Sequence, residues 1–241
     1  MNQTLPYPGV ERDKKQQVHE MFNRIAFTYD FLNHFLSAGV DRHWRKIAIR
    51  MLSASSPKVI LDVATGTADF AIEAVLLQPE KIIGVDLAEN MLRIGEEKVR
   101  KMNLEKIISL QQADSEALPF SENNFDAITI GFGVRNFMNP LKGLSEMHRV
   151  LKPGGKIAVL EFSKPKNFLV KGAFNFYFKK LCPLIGAIVS KDKKAYQYLH
   201  DSVKNFAEGR EFLDMMETAG FKNTFQRKLT FGIASVYFGV K

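Results

Sequence analysis

The stretch PKVILDVATGTADFAIEAVLLQPEKIIGVDLAEN, residues 57–90, decides how this chain folds. Val59, Ile60, Leu61 and Val63 make a short apolar, β-branched run, the pattern of a strand buried on both faces. The run stops at Ala64-Thr65-Gly66-Thr67, and apolar residues then recur at helical spacing through Phe70, Ala71, Ala74 and Val75. A second apolar run, Ile82 to Val85, ends in Asp86, 20 residues beyond Gly66. That is about the distance at which an acid meets a ribose hydroxyl in a nucleoside-binding βαβ unit.

The turn itself narrows the ligand. A dinucleotide brings a pyrophosphate, which the G-x-G-x-x-G fingerprint lets the backbone approach closely. Here the positions around Gly66 read Ala64 and Ala68-Asp69, so most of that fingerprint is missing. S-adenosylmethionine has no phosphate; it offers a carboxylate, an ammonium, a sulfonium, a ribose and an adenine. One glycine turn lets the backbone pass the methionine part, and Asp86 takes the ribose diol through charge-assisted hydrogen bonds. The plainer alternative is that Gly66 only tightens a βα turn and Asp86 caps the following helix.

Working outward, the same rhythm continues. LAENMLRIGEEKVRKM (residues 87–102) is amphipathic, residues 106–112 supply a third strand, and Phe125 to Gly131 a fourth, ending in GFGVRNF. Residues 140–151 read as a helix, Lys152-Pro153-Gly154-Gly155 as a turn, and Lys156 to Phe162 as a fifth strand. Before the core unit, helical spacing starts at Glu11, with Asp41 as the N-cap of a helix running to about Leu52. After residue 206 come a helix to Ala219 and two strands, Lys222–Leu229 and Ile233–Val240. Strands alternating with helices imply a doubly wound, mostly parallel α/β sheet, whose ligands bind at the carboxyl ends of the strands. Asp62 through Thr67, Asp86, Asp114 and the GFGVRN turn all fall at that rim. The whole of residues 1–241 is expected to form one domain, with a helical segment at 11–52 and a helical, aromatic insertion at 164–206 lying over the sheet edge.

Composition sets further bounds. The chain has 241 residues, 46% of them hydrophobic, and a net charge of +8. Residues 164–194 hold eight lysines against one acid, Asp192, so nearly all the excess charge sits there. A single cysteine, Cys182, excludes an internal disulfide and reads as a small buried hydrophobe; with no C-x-x-C, no metal site is expected. No signal-peptide core or membrane span is read, so the expected location is cytoplasmic, with docking on the inner face of the cytoplasmic membrane as the second expectation.

These residues now carry a resemblance that covers nearly the whole chain. LDVATGTAD, GVDLAENML, ALPFSENNFDAIT and RVLKPGG, in that order, resemble class I S-adenosylmethionine-dependent methyltransferases. MFNRIAFTYDFLNHFLSAGVDRHWR, GFGVRNF, LEFSKP, PLIGAIVS, AYQYLHDS and AGF are narrower, and together they resemble the menaquinone/ubiquinone biosynthesis C-methyltransferases. The resemblance implies a Rossmann-like, seven-stranded sheet with an antiparallel last strand. It implies transfer of a methyl from S-adenosylmethionine to a ring carbon of a polyprenylated quinol, demethylmenaquinol to menaquinol, with the ubiquinone precursor or another aromatic acceptor as the alternative. The donor set it implies is Asp62, Ala64, Thr65, Gly66, Thr67, Asp86, Leu87, Asp114, Ser115 and Gly131, with Asp114-Ser115 along the adenine. Two departures stand out. Gly131 occupies a position where relatives can have serine, and Ala68 one where the family usually has glycine. The alanine is expected to be helical already, because it would be strained at positive φ.

A ring carbon is a weak nucleophile until its neighbouring phenol loses a proton. Arg135 is the candidate phenolate stabiliser, with Asn136 positioning it and Tyr29 and Asp30 as the other candidate catalytic residues. The bland readings are a salt bridge from Arg135 to a sheet-end acid, and helix capping plus core packing for Tyr29 and Asp30. His200 is the outside candidate for a base. Lysines and aromatics of 164–194 are expected to meet an anionic membrane surface. A homodimer stays open as a partner. Nucleic acid is not expected, because the basic segment is paired with apolar residues and no stacking platform is read. An RNA methyltransferase and a non-catalytic subunit of a quinone-synthesis complex are the competing classes, and the intact ATGT and GVD elements weigh against the second.

Overall fold

A computed structural model describes residues 4–37, 39–177 and 192–241, and of these the side chains of 31–36, 173, 175, 193 and 196 lie outside the description. Cys182, the apolar run 181–189 and three of the eight lysines of the basic segment lie outside the described residues.

Seven strands form one sheet: β1 (Val59–Val63), β2 (Lys81–Asp86), β3 (Ile108–Gln112), β4 (Phe125–Gly131), β5 (Leu151–Phe162), β6 (Lys222–Leu229) and β7 (Ala234–Val240). Their order is β3-β2-β1-β4-β5-β7-β6. The first five are parallel, and β7 runs antiparallel to both β5 and β6. The order reverses at β1, so a crevice opens beyond the carboxyl ends of β1, β2 and β4, where ligands of such sheets lie. The described α-helices are α1 (Lys14–Leu36), α2 (Val40–Leu52), α3 (Asp69–Ala74), α4 (Glu89–Lys101), α5 (Pro140–Val150), α6 (Phe168–Phe176), α7 (Lys193–Asn205) and α8 (Arg210–Thr218), with short 3-10 turns between some elements.

Strand alternation divides the core into two layers. Leu61, Val63, Ile128, Ile130 and Tyr237 pack with Leu144, Phe212 and Met216 on one face of the sheet. Ile60, Ile82, Ala127 and Val236 pack with Trp44, Ile49, Leu52 and Phe70 on the other. A third, smaller cluster joins Met21 and Ile25 of α1 to Met91 of α4 and Tyr198 of α7. It fastens the amino-terminal helix across the ligand rim.

Three expectations are corrected here. The N-cap of α2 is Gly39, at φ 75°, not Asp41; Asp41 lies inside the first turn, buried, where it accepts from Arg45 at 2.8 Å. Lys152–Gly155 is not a free turn but part of β5. The register jumps from Phe125↔Leu151 to Ala127↔Lys156, and Gly154 takes φ 76° while its N–H reaches the Lys241 carbonyl. Ala68 is not helical: it caps α3 in the left-handed region, at φ 66°. Its buried methyl faces Gly95 of α4, where an added Cβ would come within 3.3 Å of it. A left-handed alanine costs about 1–2 kcal/mol, and the close approach of α4 to the turn accompanies it.

Candidate active site

The glycine turn sits on a buried carboxylate. Asp62, at the end of β1, accepts from the Thr65 hydroxyl at 2.6 Å and the Thr129 hydroxyl at 2.7 Å. Burial raises its carboxyl to about 6, against those hydrogen bonds and the Ala71 N–H, which pull it down. The Thr65 N–H bonds the Val85 carbonyl at 2.9 Å, tying the turn to β2. With its base fixed, Gly66 adopts φ 55° and donates its N–H to Asp86 Oδ2 at 2.9 Å, while Asp86 Oδ1 takes the Ala88 N–H at 2.9 Å. The Leu87 N–H also reaches this carboxylate, which retains acceptor capacity beyond its backbone donors. Burial raises the Asp86 carboxyl, opposed by these amides.

Around Asp86 lies a narrow slot of about 80 Å³. Ala64, Gly66, Leu87, Asp114, Ser115 and Gly131 line it from the strand ends, and Lys15, Val18, His19 and Phe22 close it from α1. Lys15 bonds Asp114 Oδ2 at 2.7 Å, an interaction that holds the lysine above its ordinary pKa. His19 bonds Glu89 at 2.8 Å, which with Asn23 holds that exposed carboxyl down to about 2.

A second, larger cavity of about 370 Å³ adjoins it, and the two share Phe22, Tyr29, Phe132 and Asn136 as walls. Its lining is mostly apolar: Trp44 from α2, Phe162 from β5, Val170 and Phe174 from α6, Ile233 before β7. Polar groups enter from several elements, among them the Asp41–Arg45 pair of α2 and Arg135. Arg135 pairs with Glu161 at 3.0 Å, with the glutamate fully buried, and also donates to the Phe132 carbonyl. Its guanidinium lies 5.6 Å from the Phe162 ring centre. Its Nε–H is buried and has no hydrogen-bond partner, one of two such side-chain atoms among the described residues. Burial raises the Glu161 carboxyl, and Arg135 opposes that shift.

The 3-10 turn Val134–Asn136 that presents Arg135 is held from outside by Lys14, whose ammonium donates to the Arg135 and Phe137 carbonyls at 3.0 and 2.7 Å. Burial, and then Arg135, lower Lys14 to about 8. Asn136 accepts from the Tyr198 hydroxyl at 3.1 Å. Burial pushes the Tyr198 phenol well above its ordinary range, so it remains a donor.

The structure thus sorts the residues read from sequence. Ala64, Gly66, Asp86, Leu87, Asp114, Ser115 and Gly131 line the slot; Asp62, Thr65 and Thr67 do not. Asp62 and Thr65 satisfy one another beneath the turn. Thr67 turns its hydroxyl to Asp30 at 2.5 Å. Asp30 lines neither cavity: its second oxygen bonds Lys98 at 2.9 Å, and Lys98 also bonds Asp69, which in turn meets Arg45. Asp30, inside α1 rather than at its end, is therefore a tie between that helix, the glycine turn and α4. Tyr29 and Asn136 stand at the junction of the two cavities, and Arg135 lines the larger one while making the sheet-end salt bridge. His200 lines neither and bonds Asp201 at 2.9 Å.

Sequence reading missed Phe132, Glu161 and Tyr198, and the slot-closing Lys15 and His19. Tyr198 had a signal in the AYQYLHDS segment, attributed instead to His200. At Gly131 an added Cβ would fall 2.9 Å from the Phe70 ring, a physical reason for glycine there.

Comparison with known proteins extends these observations. Residues 10–241 match the ubiE/COQ5 methyltransferase family. The chain is 47% identical to demethylmenaquinone methyltransferase of Bacteroides fragilis, over 98% of its own length and 96% of the relative's. It is 45% identical to the ubiquinone/menaquinone biosynthesis C-methyltransferase UbiE of Geotalea daltonii, over 95% and 98%. A Thermotoga maritima SAM-dependent methyltransferase, described as a possible histamine N-methyltransferase, superposes with TM-score 0.61 at 18% identity, covering 92% of this chain and 99% of that one. The [4+2]-cyclase SpnF superposes at 0.65 with 16% identity, covering 95% and 96%. The fold therefore carries more than one chemistry, and the site must decide.

Proposed function

Because this chain belongs to the ubiE/COQ5 methyltransferase family, we propose that it methylates a ring carbon of a polyprenylated quinol with S-adenosylmethionine as donor, with demethylmenaquinol as the acceptor. The single observation that carries this reading is the pair of adjoining cavities, one rimmed with carboxylates and backbone and one apolar, sharing Phe22, Tyr29, Phe132 and Asn136 as walls.

The slot fits the donor on its own chemistry. A Cβ at Gly66 would stand in open space at the slot wall, so the glycine leaves clear the volume a ligand passes through. Asp86 keeps acceptor capacity for a diol, and Leu87 and Met91 offer apolar surface for a purine. Asp86 would hold the ribose and Asp114-Ser115 the adenine edge. When bound, S-adenosylmethionine supplies an electrophilic methyl on a sulfonium.

The residues of the larger cavity then have one task, to make a ring carbon nucleophilic and aim it at the shared wall. Arg135 would stabilise the quinol oxygen as its proton passes to water, and its permanent charge suits a developing phenolate. As the ring carbon bonds the methyl, the S–CH3 bond breaks to leave S-adenosylhomocysteine, and the ring C–H proton is then lost to water to restore the aromatic ring. Glu161 fixes the guanidinium rather than quenching it, since one acid cannot use all five of its N–H donors. Asn136, held by Tyr198, positions the ring between Tyr29 and Phe132. Excluding water from an aromatic-lined cavity strengthens each of these interactions. Aligning the two reactants removes up to ~7–11 kcal/mol of barrier. On this reading the protein works at a membrane surface, where a polyprenylated acceptor resides.

The test is transfer of a labelled methyl from S-adenosylmethionine to reduced demethylmenaquinone, run beside the ubiquinone-pathway precursor. Methylation of the first at a ring carbon is expected; label on neither, or on an oxygen, overturns the reading.

A further inference from the structure

The helix α6 and the loop between β6 and β7 meet at the rim of the acceptor cavity, and both turn apolar side chains outward. In α6, Val170, Phe174 and the adjoining Tyr177 face the cavity. Phe168, Leu169 and Phe176, at the complementary positions, are 86%, 77% and 62% exposed. A helix apolar on both faces is ordinarily buried on both. In the loop, Thr230 and Ile233 line the cavity, while Phe231 between them is 82% exposed.

Phe231 is also held out under strain. Its φ is 55°, in a region that bulky residues rarely adopt, and Thr230 beside it has φ 43°. The loop is pinned in that form. The Trp44 indole N–H donates to the Thr230 hydroxyl at 2.7 Å, and the Ser163 hydroxyl donates to the Gly232 carbonyl at 2.8 Å. Pro165 packs against Gly232, which brings the loop beside the start of α6. Lys166 and Lys171 flank the apolar residues and are exposed. A strained, exposed aromatic kept in place by hydrogen bonds on both sides of it is unexplained by folding alone.

We propose that Phe168, Leu169 and Phe231 form a rim that inserts into an anionic lipid surface, so that the acceptor passes from the bilayer straight into its cavity. This deepens the acceptor reading above and rests on it. Aromatic and aliphatic side chains bury at the lipid interface while lysines meet anionic head groups, the pattern of an interfacial anchor. Among the described residues no helix is long and apolar enough to cross a membrane, so the contact is at its surface. Val170 and Phe174 of α6 and Thr230 and Ile233 of the loop carry the cavity lining next to the rim, which spares a greasy tail from crossing water.

The experiment is co-sedimentation of the full chain with phosphatidylcholine vesicles, with and without phosphatidylglycerol, for the parent, Phe231→Gly and Phe168→Ser/Leu169→Ser. Glycine is at ease at φ 55°, so Phe231→Gly should keep or raise the melting temperature while removing the ring. The parent should bind the anionic vesicles, and each variant about 10-fold or more weakly, the loss expected for a large side chain no longer buried. Methylation of a tail-less, water-soluble acceptor should be unchanged in the variants, while methylation of a long-tailed acceptor in vesicles falls. Equal binding by parent and variants, or no binding by the parent, overturns the proposal. So does a parent dimer that Phe231→Gly splits, since a second copy would then cover the rim. Failure of the parent on the tail-less acceptor strikes the acceptor reading instead, and the vesicle arm still judges the rim.

Discussion

The slot around Asp86 and the cavity around Arg135 share a wall yet are built in opposite ways. The slot is made by backbone and short side chains at strand ends: Gly66 at φ 55°, backbone amides on Asp86, Asp62 locked beneath the turn. The cavity is made by large side chains from α1, α2, α6, α7 and the segments before β7, with two buried ion pairs at its walls, Arg135–Glu161 and Arg45–Asp41. A polar, phosphate-free ligand needs atoms at fixed directions, which adjacent residues on one turn supply. A greasy ring needs volume, which only distant elements packed together supply.

If that division is right, substitutions on the two sides should separate donor binding from turnover. The largest effect is expected at Arg135. Arg135→Ala paired with Glu161→Gln, which leaves no unpaired buried acid, should lower kcat by ~10²–10³, the usual cost of removing an electrostatic stabiliser. Donor affinity by calorimetry should stay within a few-fold. Arg135→Ala alone should in addition melt earlier, because Glu161 is fully buried. Equal losses in donor affinity and turnover would merge the two sites into one.

The mirror experiment comes next. Asp86→Ala should weaken S-adenosylmethionine by about 10–100-fold, the worth of charged hydrogen bonds to a diol. The affinity of a short-tailed quinol should change little. Smaller again, Tyr198→Phe removes one neutral hydrogen bond to Asn136. A fall of ~3–10-fold in kcat is expected, with donor affinity unmoved. An unchanged kcat would remove Asn136 positioning from the account.

Legibility in the sequence follows the same division. The slot was readable because its determinants are contiguous: β-branched run, glycine, then an acid at the end of the next strand. Asp86, Gly66 and Asp114 were found at the positions the strand rhythm assigned. Asp62 and Thr67 turn away from the slot, and a sequence does not say which way a side chain turns; their polar groups meet Thr65 and Thr129 and Asp30 inside the protein. Of the cavity, Arg135, Asn136 and Tyr29 were legible only through the GFGVRNF and amino-terminal segments. Glu161 reads as the end of a strand, and Tyr198 as one aromatic among many. Their meeting depends on α7 packing over the 3-10 turn, which no local pattern encodes. Ala68 failed for a different reason: a tertiary approach by α4 outweighs the residue's own preference for negative φ.

Two weaker effects sharpen the view of the turn. The Asp62 carboxyl is raised to about 6 in the folded chain, so the folded state holds that proton more tightly than the unfolded one. Its contribution to stability is present in full below about pH 4 and is lost as pH rises through about 6. Asp62→Asn does not ionise, so its melting temperature relative to the parent should climb between pH 4 and 7. A constant difference would show that Asp62 does not titrate with folding. Smallest of all, Ala68→Gly relieves a left-handed alanine but gives up one buried methyl. A net gain of up to about 1 kcal/mol in denaturant unfolding is expected.

The most direct test of the shared wall is a structure of the protein with S-adenosylhomocysteine and a short-tailed demethylmenaquinol. The account predicts the ribose on Asp86, the sulfur facing the junction of Tyr29, Phe132 and Asn136, and the quinol ring on the other side with an oxygen at Arg135. A quinol bound elsewhere, or a ring separated from the sulfur by the Phe132 side chain, would contradict it.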